Sequence, residues 1–326
     1  MCMEIASSVE KSVLSTTRKK VNYAKWGYIL IIPFFLVYAV FSLWPLFQTF
    51  FYSFFTYKKV LLKVIGPTFV GFENYQKLFT TVNFWKYLGN TMILWIICFI
   101  PQIVISLLLA VWFTDKRLKI RGQRFFKTVI YMPNLIMAAA FGFLFMTLLS
   151  KDGPIMNLLM QWGWLSQPFD ISTSVVWNRL MIGLINFIMW FGNTTLLLMS
   201  GVMGIDEDIF EAATVDGAGS FRTFFDITMP LLRPIFVYVF ITSLIGGIQL
   251  FDAAQMFNKA GGPDLTSQTV IMYLNSIFTR TSNYGEAGAI SVIIFIMTAI
   301  LSVGVYFISY RDALPKKQKK VTANGK

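Results

Sequence analysis

The sequence predicts an all-α membrane bundle of six spanning helices, and three observations carry that prediction. Hydrophobic residues make up 56% of the 326-residue chain and charged ones only 13%, about half the roughly 25% of an ordinary soluble domain. Six apolar stretches, residues 26–49, 90–113, 128–149, 180–201, 234–255 and 286–309, reach the roughly 20 residues a helix needs to cross a hydrocarbon core about 30 Å thick. Basic residues gather in alternate connections between these stretches. Histidine is absent, which excludes imidazole catalysis and His-ligated metal in this chain acting alone. Cys2 and Cys98 fall in a polar tail and an apolar run, so neither a disulfide framework nor a thiolate metal cluster is expected.

The first run ends in Trp44-Pro45-Leu46-Phe47-Gln48, which offers no small-residue cleavage site, so it reads as a retained anchor and not a signal peptide. Charged punctuation bounds the others, for example Asp115-Lys116-Arg117 after the second and Arg311-Asp312 after the sixth. Pro33, Pro45, Pro101 and Pro133 lie inside spans. They should kink helices where neighbours or a watery cavity satisfy the freed carbonyls, which suits a transporter better than a simple anchor. Nineteen Lys and Arg fall in the two tails and the second and fourth connections, against nine in the first, third and fifth. Basic loops resist translocation, so both termini are expected in the cytoplasm. The net charge of +12 then follows from orientation and anionic headgroups, not from nucleic-acid binding. The expected organisation is a cytoplasmic tail 1–25, a six-span domain 26–310 and a basic cytoplasmic tail 311–326 that contains the run Lys316-Lys317-Gln318-Lys319-Lys320.

One cytoplasmic connection departs from this charge pattern. Residues 202–230 hold six acids (Asp206, Glu207, Asp208, Glu211, Asp216, Asp226) against Arg222 alone. Asp206, Glu207 and Asp208 open a helix with capping chemistry and negative charge against its dipole. Gly217 and Gly219 break it. Ser220 caps a second helix whose Phe221, Phe224 and Phe225 share a face at i, i+3 and i+4, and Pro230 and Pro234 are expected to stop it and start the fifth span. An acidic segment would be repelled by anionic lipid. An amphipathic helix of small and Phe side chains outside the bilayer instead suits docking into a partner's groove.

The string Glu211-Ala212-Ala213-x-x-x-Gly217-x9-Ile227-x-Met229-Pro230 resembles the EAA motif of permease subunits of bacterial binding-protein-dependent ABC importers, with Met229 where Leu is usual. Its longer form Glu211-Ala212-Ala213-Thr214-Val215-Asp216-Gly217-Ala218 is similar to the carbohydrate branch. Further matches run in order along the chain. They are Val70-Gly71-Phe72-Glu73-Asn74-Tyr75 with Phe84-Trp85 and Asn90-Thr91, Phe125-Phe126-Lys127 with Pro133, Leu250-Phe251-Asp252, and Gly261-Gly262-Pro263 preceded by Lys259-Ala260 in place of Thr-Gly. The pattern is most like the first permease of maltose, lactose and glycerol-3-phosphate systems. The resemblance implies a type I ABC importer transmembrane fold in a bacterial inner or plasma membrane, paired with a second homologous permease and two cytoplasmic ATPase subunits. It also implies a sugar delivered by an external solute-binding protein. Glu211, Ala212, Ala213, Asp216, Gly217, Ala218, Phe221, Phe224, Ile227 and Pro230 would then meet the ATPase. Gly-x-x-x-x-Gly-Lys-Ser/Thr is absent, so ATP and Mg are expected in the partner, with no cofactor and no enzymatic step in this chain.

Sugars are held by hydrogen bonds from amide and carboxylate groups and by apolar platforms for their C–H faces. Asn186, Trp190 and Asn193 lie at i, i+4 and i+7 of the fourth span, one stripe that should avoid lipid. Asn178 and Thr194 flank it. Gln249 and Asp252, at i and i+3 of the fifth span, form a second polar edge expected to line the same cavity. Interhelical packing is the competing role for each amide, and Gly246-Gly247 is expected to allow close helix approach. The alternative class, an ion-coupled secondary carrier, needs intramembrane carboxylates, whereas Asp252 and Glu286 lie near span ends. A membrane-embedded enzyme, lacking histidine and a clustered carboxylate pair, ranks last.

Overall fold

A computed structural model describes residues 24–61, 63–80, 83–115, 118, 120–258 and 261–310. The tails 1–23 and 311–326, with Cys2, and Lys116, Arg117, Lys119, Lys259 and Ala260 lie outside the described residues. The chain divides into two units, Met1–Phe51 and Tyr52–Lys326. In the first, an apolar rod Lys25–Tyr52 (α1) extends to the unit boundary. Pro33 sits inside its opening helix Ala24–Tyr38. A π turn, Ala39–Leu43, precedes Pro45 and takes up the residue four back, Phe41, whose carbonyl a proline cannot serve.

The second unit opens with a hairpin that no alternation in the sequence announces. Strands β1 (Phe55–Val60) and β2 (Lys63–Phe69) pair antiparallel from Phe55↔Phe69 to Val60↔Lys63. A side chain at Gly66, with φ +92°, would run into the Thr56 carbonyl oxygen. The short helix α2 (Glu73–Thr80) follows, and Asn74 Nδ2 donates to the carbonyls of Ser53 and Phe55 at 2.9 and 3.0 Å. The asparagine of the Gly-Phe-Glu-Asn string therefore ties the hairpin root to α2.

Long helices α3 (Phe84–Thr114) and α7 (Val175–Met203) pack along each other and form the axis of the unit. Between them the third apolar stretch, expected to be one helix over 128–149, is a bent pair. Helix α4 (Gln123–Tyr131) passes through a 3-10 turn, Met132–Leu135, into α5 (Ala138–Leu148) at 92°. Pro133 lacks the N–H a continuing helix requires, and Ile136 and Met137 turn extended at ψ 137° and 128°. A short helix α6 (Pro154–Gln161) leads towards α7. After α7 come α8 (Glu207–Val215) and the helical residues 220–231 (α9), in which a π turn Thr223–Thr228 separates Ser220–Arg222 from Met229–Leu231. Pro230 does not stop this helix; it and Pro234 occupy opening positions of helical segments, where a missing N–H costs nothing. The fifth stretch is also broken. Helix α10 (Arg233–Ile248) unwinds at Gln249 and re-forms as α11 (Asp252–Phe257). Helix α12 (Val270–Ser276) and α13 (Tyr284–Tyr310) complete the unit.

Among the described residues five helical stretches, with α10 and α11 taken together as one, are long and apolar enough to cross a membrane, or six if the bent pair counts as one span. The core lies between α7, α5 and α11, where Ile182, Ile185, Met189, Phe141 and Ala254 are buried together. Polar side chains bridge the helices inside it. Gln102 Nε2 donates to Thr194 Oγ1 at 2.7 Å and Ser106 Oγ to the Phe191 carbonyl at 2.8 Å, which satisfies groups that lipid could not. At Gly192 the backbone of α7 meets that of α4 so closely that a Cβ would collide with the Ile130 carbonyl. Gly247 lies hard against the Trp95 ring, whereas Gly246 faces open space; only the second of the paired glycines is a close-approach position. Gly192→Val should therefore lower the thermal midpoint of the purified chain by roughly 5–10 °C, while Gly246→Ala leaves it within about 1 °C. Differential scanning fluorimetry in detergent compares the two.

Candidate functional site

A cavity of about 190 Å³ opens between α3, α7 and α10. The predicted stripe lines it. Asn186, Trp190 and Asn193 of α7 share the wall with Thr194 and Leu197, because positions 186, 190, 193 and 197 return to one face at helical spacing. Trp95, Cys98 and Gln102 of α3 and Tyr238, Thr242 and Ser243 of α10 complete the polar and aromatic lining. The same i, i+3, i+7 spacing in the second span (95, 98, 102) and i, i+4 in the fifth (238, 242) was available to find them. Trp95 Nε1 donates to Ser243 Oγ at 3.1 Å and so holds the α3 and α10 walls together. Asn186 Nδ2 is bonded to its own helix, to the Ile182 carbonyl at 3.0 Å. Gln249 and Asp252 are not among the lining residues. Where α10 unwinds at Gln249 the i, i+3 phase is lost, and both side chains are exposed.

At one end of α7 a polar clamp holds the segment 261–269. Arg179, counted from the sequence as a loop residue, lies in the opening turns of α7. Its Nε donates to the Thr266 carbonyl at 3.0 Å and its Nη2 to Asn90 Oδ1 at 2.8 Å. Asn90 Nδ2 in turn donates to the carbonyls of Leu265 and Gln268 at 2.8 and 3.2 Å. Ser267 Oγ donates to the buried Asn178 Oδ1 at 2.6 Å, and Val270 N–H to Thr91 Oγ1 at 3.1 Å. The Asn90-Thr91 and Gly-Gly-Pro strings, far apart in sequence, are two sides of this one junction. Beside it Tyr273 donates to Glu286 Oε1 at 3.1 Å; burial first, and then that carboxylate, push the phenol above its ordinary range and keep it protonated.

At the other end of α7 lies the predicted elbow. Asp206 caps α8, its carboxylate accepting from Asp208 N–H at 3.2 Å, and Glu207 and Asp208 add charge to the first turn. The helix closes in a Schellman motif, with Gly217 N–H bonded to the Thr214 carbonyl and Ala218 N–H to the Ala213 carbonyl at 3.1 and 2.9 Å. Gly217 holds the left-handed position of that motif at φ +73°, with open space where a Cβ would stand, so its demand is conformational and not steric. Ala213 is buried, while Glu211, Ala212, Asp216 and Pro230 are exposed and Ala218, Phe224 and Ile227 half-buried. Phe221 and Phe225 stack at 6.4 Å with 82% and 57% of their surface exposed. Val215 of α8, not singled out by the sequence, is 87% exposed as well. The Arg222–Asp226 pair at 3.5 Å is fully at the surface and adds little.

A broken-helix bundle around a midway cavity, with a capped elbow at one end of its long helix α7, is the architecture of a membrane translocation subunit. The chain belongs to the family of binding-protein-dependent transport system inner membrane components, whose pattern matches residues 102–312. It is 30% identical over 278 residues to the lactose transport system permease protein LacF of Rhizobium radiobacter, covering 85% of this chain and 91% of that one. To the multiple sugar-binding transport system permease protein MsmF of Streptococcus mutans it is 29% identical over 290 residues, 88% of this chain and 96% of the relative. Its fold matches a chain of a bacterial ABC transporter involved in the import of the acidic polysaccharide alginate, with a TM-score of 0.76 at 18% identity over 91% of this chain and 99% of that chain. It is the type I ABC importer transmembrane fold in a multi-pass membrane protein.

Arg179→Ala should lower the thermal midpoint by an amount that corresponds to about 2–3 kcal/mol, since it strips a charged donor from two acceptors. It should also raise hydrogen exchange at the amides of 265–270 while leaving those of α8 unchanged. Arg179→Lys, which cannot fork to both acceptors, should fall between. Exchange mass spectrometry on the full chain checks the pattern.

Proposed function

We propose that this chain is one of two permease subunits of an ATP-driven importer that moves a mono- or oligosaccharide delivered by an external solute-binding protein. The observation that carries the reading is the continuity of α7, which runs unbroken for 29 residues from the clamp, past the cavity stripe, to within a few residues of α8. A sugar in the cavity and an ATPase at the elbow would thus bear on one rigid element. Asn186, Trp190 and Asn193 contact the sugar in this reading; Gln249 and Asp252, outside the cavity, do not. Both termini and the elbow face the cytoplasm, where two ATPase subunits bind ATP and Mg and this chain binds neither.

Glu211, Ala212, Asp216, Gly217, Phe221 and the apolar Val215 form the docking face, with Ala213, Ala218, Phe224, Ile227 and Pro230 supporting it. Closure of the ATPases on ATP turns the elbow and opens the cavity outward; hydrolysis resets it. An ion-coupled carrier is disfavoured because, among the described residues, no carboxylate lines the cavity.

Two sets of variants test the reading in cells expressing the whole importer. Glu211→Lys, Gly217→Val and Phe221→Asp should each cut copurification of the ATPase and sugar uptake about tenfold or more at unchanged membrane abundance, as expected for docking contacts of about 1.4 kcal/mol or more. Gly217→Asn, which tolerates the left-handed conformation, should retain most of both. The pair Asn186→Ala and Asn193→Ala should lower uptake about tenfold with the ATPase still attached; full uptake in that double variant would remove the cavity from the pathway.

A further inference from the structure

Every polar side chain that lines the cavity is electrically neutral. Among the described residues no carboxylate, ammonium or guanidinium group belongs to its wall, although the span helices carry several. Four of them show where the charge is placed instead. Arg179 shares α7 with the stripe but points its guanidinium at the Thr266 carbonyl and Asn90 Oδ1. Glu286 accepts from Tyr273 and from Asn283 Nδ2, at 3.1 and 2.9 Å. Arg233 lines a separate apolar groove with Phe236, Val305 and Ile308, and Asp252 is exposed beyond the break in α10.

The hydrogen-bonding state of the wall points the same way. One N–H of Asn186 is taken by Ile182, and an N–H of Gln102 by Thr194. Ser243 already accepts from Trp95 and keeps its own proton to give. What remains is a mixture of amide oxygens, amide N–H groups and hydroxyls, flanked by the indoles of Trp95 and Trp190 and the phenol of Tyr238. A sugar hydroxyl both donates and accepts and so pairs with all of these. A carboxylate or phosphate only accepts, so it can use the N–H and O–H donors but leaves the amide oxygens facing it unpaired and meets no cation, and an ammonium finds no anion.

We propose that this cavity selects uncharged sugars and rejects uronates, sugar phosphates and amino sugars. The inference rests on the reading of the cavity as the sugar pathway and adds the substrate's charge class to it. The fold does not impose that neutrality, since the alginate transporter with the same fold is involved in importing an acidic polysaccharide. It is a property of the side chains on this chain's wall.

Cys98 provides the readout, because it lines the cavity and is partly accessible. The complete importer, this chain with its sister permease and ATPases, is placed in nanodiscs with Cys2→Ser. Modification of Cys98 by methyl methanethiosulfonate is followed by peptide mass spectrometry. The neutral oligosaccharide that the cells take up should slow modification about fivefold or more at saturation; a uronate oligosaccharide of equal length and a sugar 6-phosphate should slow it less than twofold. Thr242→Arg, at an exposed position of the wall, should bring uronate protection to within about threefold of the neutral sugar. Protection of the unmodified wall by uronates equal to that by the neutral sugar, or uronates still ignored after Thr242→Arg in a protein that folds and keeps its ATPases, overturns the charge selection while the cavity remains the pathway. Failure of every sugar to protect Cys98 in an importer that is active in uptake overturns the pathway reading itself.

Discussion

The polar seam between α3 and α7 is the constraint on which the rest of the unit depends. Two long apolar helices gain nothing from one another by hydrophobicity alone when lipid is the alternative neighbour, so small residues and hydrogen bonds must set their register. Gln102 to Thr194 and Ser106 to the Phe191 carbonyl fix that register near the middle of both helices. Gly183 lets Ile97 of α3 sit directly on the α7 backbone at the other side of the cavity. With the seam fixed, the phase of α7 is fixed, and with it the faces on which Asn186, Trp190 and Asn193 emerge. Moving α7 by one residue would turn each of them by about 100°, into the core or towards lipid.

A rigid α7 is useful only if its two ends engage different structures, and the hydrogen bonds separate them cleanly. The clamp end is held by side chains reaching across to remote segments, the elbow end by local capping, the Asp206 carboxylate at its start and backbone bonds at its close. A clamp made of side chains from three remote segments resists displacement in several directions. An elbow closed by a Schellman motif and an aspartate cap keeps its own shape while the apolar side chains of Val215, Phe221 and Phe225 stay exposed. Stiffness within α8 and exposure beside it are what a force-bearing contact requires.

Much of this was legible in the sequence, and the failures share one cause. The Asp206 cap, the Gly217 terminator and the 186, 190, 193 stripe follow from local rules of capping and helical spacing, and the structure has each where those rules place it. The hairpin Phe55–Phe69 escaped because its anchor, Asn74 to Ser53 and Phe55, lies outside the strands. The 92° bend at Met132–Leu135 was signalled by Pro133 in kind, but its size depends on what packs around it. Pairing Gln249 with Asp252 assumed an unbroken helix, and the assumption fails where α10 unwinds. Arg179 read as one more loop cation because nothing local ties it to Asn90, 89 residues away.

That clamp also accounts for the backbone it holds. Gly261 and Gly262 stand at φ +80° and +78°, and Asp264 and Leu265 at +49° and +57°. For glycine the left-handed region is free, but for Asp264 and Leu265 it costs on the order of 1 kcal/mol each. The contortion turns the carbonyls of Leu265, Thr266 and Gln268 towards Asn90 and Arg179. Hydrogen bonds to a charged donor contribute about 1.5–3 kcal/mol, enough to offset that strain. Both oxygens that Arg179 meets are neutral, so among the described residues its charge is held by dipoles and not by a counter-ion. The arrangement needs those carbonyls in place to hold the half-buried guanidinium of Arg179. Two glycines and a proline in sequence are thus the backbone condition for the clamp that ties this segment to α3 and α7.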